Sequence, residues 1–130
     1  MKIYDVENFP NPLRVRIALA EKKATDKVEF VAVDLLNGEH RTEAFLAKNP
    51  LAGVPVLELD DGTFIAECTA ITEYIDTAFA GPSLTGVEAK ERAVINMMQK
   101  RAESMVLDAV ATYFQSTLPV VQMNKKALPL

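Results

Sequence analysis

VPVLELDDGTFIAECTAI, residues Val54–Ile71, is the most informative stretch of the sequence. Two runs of alternating residues, Val56 to Leu59 and Phe64 to Ala66, are joined at Asp60-Asp61-Gly62, which predicts a β-hairpin. Glu67-Cys68 then opens a run at helical spacing. The first turn of a helix has backbone N–H groups with no acceptor in the helix and favours negative charge, so this junction is predicted to hold an anion.

The residues before the hairpin predict two strand–helix units. Lys2 to Val6 is a short strand, and a helix runs from Asn11 to about Lys23. Asn11 stands as a capping residue with Pro12 at the first helical position. Three residues of this helix share one face: Leu13, Ile17 and Ala20.

The second unit is a β-branched strand from Val28 to Val33 and a short helix from about Arg41 to Lys48, which Asn49-Pro50 stops. The helix after the hairpin has its apolar residues on one stripe. They are Ile71, Tyr74, Ile75, Ala78 and Phe79. The predicted element order is βαβαββα.

A change of character follows at residues 81–86, GPSLTG, which are typical of a linker. From Val87 to Leu118 there is no Gly or Pro, which predicts one long helix. Its recurring apolar residues are Val94, Met98, Ala102, Met105, Ala109 and Tyr113. We therefore expect a domain at 1–80, a linker at 81–86 and part of a helical domain at 87–130. The long helix must pack on other helices or on another chain.

Composition sets limits on function. The chain has 130 residues, is 49% hydrophobic and 25% charged, and has a net charge of -4 without a basic cluster, which disfavours nucleic acid as a partner. No apolar run is long enough to span a bilayer, and MKIYDVENF lacks the apolar stretch of a secretory signal. Cys68 is the single cysteine and has no intrachain partner. We expect a cytoplasmic protein that does not bind membranes.

The first 80 residues resemble the thioredoxin-like, glutathione-binding domain of the glutathione S-transferase superfamily. The resemblance rests on four stretches in the family's order: Arg14 to Lys22, Asn49 to Leu51 leading into Val54 to Leu57, Asp61-Gly62, and Ile65 to Ile71. It implies an α/β fold, a thioredoxin-like βαβαββα domain followed by an all-α, partial helical domain. Residues 87–115 are similar to the first long helix of that second domain.

The resemblance implies roles for two pairs of residues. Val54-Pro55 matches a cis Val-Pro bond from which the family offers backbone N–H and C=O groups to glutathione as to an added strand. On its own the pair also fits an ordinary strand start. Glu67-Cys68 matches the family's Glu-Ser pair, in which the acid binds the γ-glutamyl ammonium and the helix N-terminus binds the carboxylate. The alternative makes Cys68 a small buried residue and Glu67 a first-turn acid.

His40 and Asn11 complete the candidate site. Some classes place a His at the position of His40, on the glycyl carboxylate. Pro10-Asn11-Pro12 resembles the Pro-Asn motif of a bacterial nu-like class, which activates the glutathione thiol with an asparagine amide and reduces disulfides. Asn11 as a helix cap is the competing interpretation. Tyr4 is expected in the core, and the chain has no Cys-x-x-Cys pair for dithiol chemistry.

The leading hypothesis is a glutathione S-transferase-like enzyme that binds glutathione as co-substrate, without a metal, and activates its thiol. The thiol would be conjugated to a small hydrophobic electrophile or would reduce a disulfide. The alternative is a non-catalytic glutathione-binding or protein-interaction module of the same fold. The family's helix packing implies a homodimer.

Overall fold

The computed structural model describes residues 1–117 of the chain. Two compact units divide the chain, Met1–Thr85 and Gly86–Leu130. The first unit contains, in chain order, β1 (Lys2–Asp5), α1 (Pro10–Glu21), β2 (Glu29–Ala32), α2 (Glu43–Leu46), β3 (Val56–Glu58), β4 (Phe64–Ala66) and α3 (Cys68–Ala78), with short 3₁₀ turns at Thr25–Lys27 and Glu39–Arg41. This order confirms the predicted βαβαββα arrangement.

The four strands form one mixed sheet in the order β2-β1-β3-β4. β1 is parallel to β2 and antiparallel to β3, and β3 is antiparallel to β4. Because successive side chains of a strand point to opposite faces, each strand supplies both sides of the sheet. Ile3 and Leu57 lie in the core cluster that α1 and α3 cover, whereas their neighbours Tyr4 and Val56 lie in the cluster around Phe45 of α2.

Helices α1 and α3 bury one face each against the sheet. The fully buried residues of these helices include Val15, Leu19, Ile71 and Ile75. Each contributes on the order of 1.5–3 kcal/mol relative to leaving its side chain in water. The face of α1 that carries Leu13 and Ile17 is exposed instead.

The start of α1 differs from the prediction. The helix begins at Pro10, with Phe9 as the N-cap residue, and no side chain caps it. Asn11 is therefore the second helical residue, and the interpretation of Asn11 as the helix cap is wrong. The sequence contained two prolines compatible with the first turn, and Pro10 takes the first position, where a missing N–H costs nothing.

Asp76 at the end of α3 joins three segments of the first unit. Its Oδ1 lies 2.6 Å from Lys22 Nζ, and both side chains are almost fully buried. The same carboxylate accepts hydrogen bonds from the backbone N–H groups of Leu84 and Thr85 and from the Thr85 hydroxyl. Burial alone would raise the pKa of Asp76, but the bonds from Lys22, Thr85 and Leu84 outweigh it and hold the pKa well below its usual range.

The second unit is described as α4 (Ala89–Ala102), a π-helical turn (Glu103–Leu107) and α5 (Asp108–Thr117). The predicted helix thus begins at Ala89 rather than Val87, and Leu118 lies outside the described residues. The π-helical turn contains neither Gly nor Pro, and nothing in the structure explains it. Several large apolar side chains of this unit are exposed: Val87, Val94, Met97, Met98, Met105, Val106, Val110 and Tyr113. Over residues 1–117, no helix combines the length and apolarity needed to cross a membrane.

Candidate functional site

The β3–β4 hairpin brings the two predicted residue pairs to the same end of the sheet. Val56 is the register partner of Ala66. Val54-Pro55 comes directly before β3, and Glu67-Cys68 comes directly after β4. Because the two strands are antiparallel, the start of one lies beside the end of the other. The pairs are therefore neighbours, although they are separated along the sequence by the whole hairpin.

Val54 presents unused backbone groups at this end. The Val54–Pro55 peptide bond is cis. Within residues 1–117, neither the N–H nor the C=O of Val54 has a hydrogen-bond partner. The side chain packs at the edge of the core cluster around Phe45. An N–H and a C=O on one residue at the beginning of a strand are the groups that pair with an extended peptide.

Glu67 has an unusual backbone conformation at the junction. Its φ is 69° and its ψ is 122°, which non-glycine residues rarely adopt. Its C=O accepts the N–H of Ile71 at 2.9 Å and so opens α3, while its side chain caps nothing and is exposed. Strained residues of this kind cluster at ligand sites, where the surrounding structure holds them in place. The carboxylate makes no capping bond to the helix it precedes, and the residue is exposed to solvent.

Cys68 is the first residue of α3 and is 7% exposed. Its Sγ lies 3.3 Å from the backbone O of Asn11, to which the thiol donates a weak hydrogen bond. The thiol is thus directed at α1, and any part that Cys68 plays in binding falls to its backbone at the helix N-terminus. The bond also brings the first turn of α1 next to the start of α3.

Asn11 has two kinds of N–H group at the N-terminus of α1. Pro10 and Pro12 carry no N–H, and the N–H of Leu13 donates to the O of Phe9 at 2.9 Å. Within the described part of the chain, the backbone N–H and the side-chain amide of Asn11 have no partner, and the residue is exposed. The N–H groups of this turn that have no acceptor therefore belong to Asn11. They lie at the N-terminus of α1, where the helix dipole favours a negative charge.

His40 lies in the 3₁₀ turn Glu39–Arg41. Its Nε2 accepts a hydrogen bond from Arg41 Nε at 3.2 Å, and its Nδ1 is buried with no partner among residues 1–117. Burial, and to a lesser extent the charge of Arg41, lowers the pKa of His40. A neutral ring that accepts at Nε2 carries its proton on Nδ1, which is then a donor with nothing to bond. No hydrogen bond within residues 1–117 joins His40 to the other candidate residues.

Tyr4 packs at the edge of the core cluster around Phe45, as the sequence predicted. Its hydroxyl donates to Glu58 Oε2 at 2.5 Å, and its ring contacts Phe45 edge to face. The bond to Glu58, with burial and the Glu58 charge, raises the pKa of Tyr4 to about 12.

Among the described residues there is no group of three or more His, Cys, Asp or Glu side chains arranged to hold a metal ion.

Asn49 is the residue that sequence reasoning missed. It was interpreted as a helix stop together with Pro50, whereas its side chain is buried and bonded inside the loop that leads to Val54. An Asn-Pro pair after a helix has the same local pattern in both roles. No signal in the sequence separated them.

Comparison with known proteins shows the family of the chain. The family model of the glutathione S-transferase N-terminal domain matches residues 10–78, more than half of the chain. The chain belongs to the glutathione S-transferase family. The match confirms the resemblance and the thioredoxin-like α/β fold.

Two relatives illustrate the similarity. The chain is 57% identical over 119 residues to glutathione S-transferase 2 of Saccharomyces cerevisiae, covering 92% of this chain and 51% of that protein. The crystal structure of a glutathione S-transferase domain-containing protein of Marinobacter aquaeolei is 71% identical, with a TM-score of 0.87 over 88% of this chain and 56% of that one. This chain thus spans about half the length of each relative.

A third relative is not named a glutathione S-transferase. The chain is 32% identical over 120 residues to elongation factor 1-gamma of Artemia salina, which covers 92% of this chain and 27% of that protein. Sequences similar to this chain therefore occur both in proteins named glutathione S-transferase and in a protein named as an elongation factor.

Proposed function

We propose that this chain binds glutathione and belongs to a glutathione transferase that activates the bound thiol. The observation that carries the proposal is the neighbouring position of Val54, with an unpaired N–H and C=O, and Glu67, with an exposed carboxylate on a strained backbone. A peptide with a backbone amide and an ammonium group complements both. The similarity to proteins named glutathione S-transferases supports the assignment.

Each part of glutathione has a group of opposite character in the site. The cysteinyl unit pairs with the backbone of Val54 beside Pro55, as an added strand does. Glu67 binds the γ-glutamyl ammonium, and the N-terminus of α3 at Cys68 receives the γ-glutamyl carboxylate. His40, which is partly exposed in its 3₁₀ turn, is the proposed partner of the glycyl carboxylate.

Isothermal titration calorimetry of the full chain with glutathione tests the proposal. We expect saturable binding with one site per chain, and conjugation of the thiol to a small hydrophobic electrophile or reduction of a mixed disulfide in the same preparation. Heats no larger than those of dilution at millimolar glutathione would contradict it.

We further propose that Asn11 stabilises the thiolate. The backbone N–H and the side-chain amide of Asn11 lower the pKa of the bound thiol, so an Asn11→Ala variant, which loses the amide, is expected to raise it. Asn11→Asp is expected to raise it further, since a carboxylate repels the thiolate. The thiolate absorbs in the ultraviolet, and a pH titration of the complex measures its pKa. Leu13→Ala, in the same turn and exposed, is the control and leaves the pKa unchanged. Equal thiol pKa values in the wild type and Asn11→Ala would remove Asn11 from the catalytic residues.

A second candidate function is a non-catalytic glutathione-binding or interaction module. The similarity to elongation factor 1-gamma favours it. The two functions differ in the chemistry of the bound thiol and not in binding. A module of this kind binds glutathione with a thiol pKa close to that of the free peptide, whereas a transferase lowers the pKa and turns over electrophile.

The cellular location and the domain organisation are the next part of the proposal. We propose a cytoplasmic protein that needs no metal, partitioned into a glutathione-binding domain at 1–80, a linker at 81–86 and a helical segment at 87–130. Its one cysteine is buried and reduced, which suits a compartment where glutathione is the main thiol.

We propose that the helical segment pairs with a second copy of the chain. Its exposed residues include Met98 and Met105, which are 53% and 75% exposed, with Val94, Val106 and Tyr113 along the same helices. Large apolar side chains exposed in this number on one helical segment are unusual for a soluble monomer and are typical of an interaction site. A two-fold axis would place the same residues of both copies against each other.

A double variant, Met98→Glu with Met105→Glu, is expected to dissociate the dimer, because it places two charges from each copy in the buried centre of the interface. Sedimentation velocity at micromolar concentration measures the change. Lys90→Glu, an exposed charge reversal on α4 outside the apolar set, is the control and remains dimeric. A wild-type chain that sediments as a monomer would contradict the proposal.

A further inference from the structure

Asn49 is one of the few polar residues of the described chain that are almost fully buried, with 5% of its surface exposed. All of its polar groups are bonded. Its backbone N–H donates to the O of Phe45 at 3.0 Å, and its backbone C=O accepts the N–H of Ala52 at 2.9 Å. Its side-chain Oδ1 accepts the N–H of Leu51 at 3.1 Å, and its Nδ2 donates to the O of Gly53 at 2.9 Å. One side chain therefore fixes the loop at both ends.

The bond to Gly53 acts on the group that the ligand uses. The C=O of Gly53 and the N–H of Val54 belong to one planar peptide unit, so the direction of the first sets the direction of the second. A hydrogen bond accepted by the C=O also polarises the N–H at the other end of the same unit and strengthens its next bond. The N–H of Val54 has no partner in the described chain. The bond from Asn49 to Gly53 thus fixes the direction of this N–H and makes it a stronger donor.

The backbone of the loop needs this support. Ala52 has a φ of 55°, in the left-handed region that a residue with a side chain seldom adopts. Gly53 is exposed and has no strand neighbour to hold its peptide plane. Without the amide of Asn49, the plane between Gly53 and Val54 can rotate, and its N–H samples directions in which it does not meet a ligand.

We propose that Asn49 is a positioning residue for glutathione, acting through the peptide plane between Gly53 and Val54. The inference rests on the proposed function, because it assigns to Val54 the cysteinyl backbone of the bound peptide. Asn49 touches no part of the ligand in this arrangement. Its loss changes affinity through the orientation of one N–H group.

Two variants of the full chain separate this role from general stability. Asn49→Ala removes both side-chain bonds. Asn49→Asp keeps the size and the acceptor for Leu51 but replaces the donor with a carboxylate that repels the C=O of Gly53. It serves as the test variant if Asn49→Ala does not fold. Ile75→Val is the control, a core truncation in α3 that lowers stability away from the loop.

Calorimetry with glutathione is expected to show about a tenfold weaker affinity for Asn49→Ala and at least as large a loss for Asn49→Asp, at unchanged stoichiometry. Ile75→Val binds as the wild type does. In the ligand-free proteins, the amide proton resonance of Val54 moves in both Asn49 variants and not in Ile75→Val, because only they change the peptide plane.

Wild-type affinity in a folded Asn49 variant, or an unmoved Val54 resonance, overturns the inference and leaves the proposed function intact. Loss of affinity in Ile75→Val equal to that in the Asn49 variants also overturns it, since stability alone would then explain the effect. Absence of glutathione binding by the wild type overturns the proposed function itself.

Discussion

Replacing Asp76 with alanine is expected to lower the free energy of unfolding by about 3–5 kcal/mol. The substitution leaves the ammonium of Lys22 buried without its partner, 2.6 Å away in the wild type. It also leaves the N–H groups of Leu84 and Thr85 without an acceptor. Chemical denaturation followed by circular dichroism measures the loss.

The matched control is the exposed ion pair between Lys27 and Asp26, whose side chains are 60% and 73% exposed. Asp26→Ala is expected to change stability by no more than about 0.5 kcal/mol, because exposed pairs are screened by water. A Lys22→Met, Asp76→Ala double variant should be more stable than Asp76→Ala alone, since no buried charge remains. Equal losses in Asp76→Ala and Asp26→Ala would contradict the role of burial.

The stabilisation by Asp76 depends on pH. The pKa of Asp76 in the folded chain lies below the usual value of 3.8, so the folded state favours the ionised form. The stabilisation is therefore fully present above the unfolded pKa and is lost as the pH falls from about 4 toward the folded pKa. The difference in stability between the wild type and Asp76→Asn should be constant between about pH 5 and 7 and shrink below about pH 4.

Replacing Glu67 with alanine is expected to weaken glutathione binding by about 1.5–3 kcal/mol, the scale of a hydrogen bond to a charged group. The exposed carboxylate has no partner among residues 1–117, so its removal costs binding and little stability. Calorimetry gives the affinity, and denaturation shows whether the fold is unchanged.

Glu73→Ala is the control for Glu67→Ala, because it removes an exposed acid from the same helix, away from its N-terminus. Glu67→Gln is expected to fall between the wild type and Glu67→Ala, since an amide oxygen accepts a hydrogen bond from the ammonium but carries no charge. If Glu67→Ala and Glu73→Ala weaken binding equally, the effect is one of net charge and the γ-glutamyl site lies elsewhere.

The sequence was sufficient for the sheet, because the pattern of each strand is local. Phe64–Ala66 was predicted to the residue, and the Asp-Gly turn fixed the hairpin that brings Val54 near Glu67. The local sequence pattern could not predict which distant residue each side chain contacts. The thiol of Cys68 and the carbonyl of Asn11 are far apart in the sequence, and so are Lys22 and Asp76.

The assignment of Asn11 shows the same limit. The sequence allowed a helix cap or a thiol ligand, and with Asn11 as the cap α1 would begin at Pro12, two residues after its actual start at Pro10. The position of Phe9 as N-cap removes the capping role, and among residues 1–117 the amide of Asn11 has no partner. The buried bonds of Asn49 were hidden for another reason. They are local, to Leu51 and Gly53, but an Asn-Pro pair after a helix has the same sequence pattern with and without them.

An NMR titration of the nitrogen-15-labelled full chain with glutathione tests the location and existence of the site together. We expect the backbone amide resonances of Asn11, Val54 and Cys68 to move in parallel as glutathione is added and to saturate with one affinity, while those of α5 stay in place. Resonances that do not move at millimolar glutathione, or that move only outside the hairpin end and the N-termini of α1 and α3, would contradict the proposal that glutathione binds here.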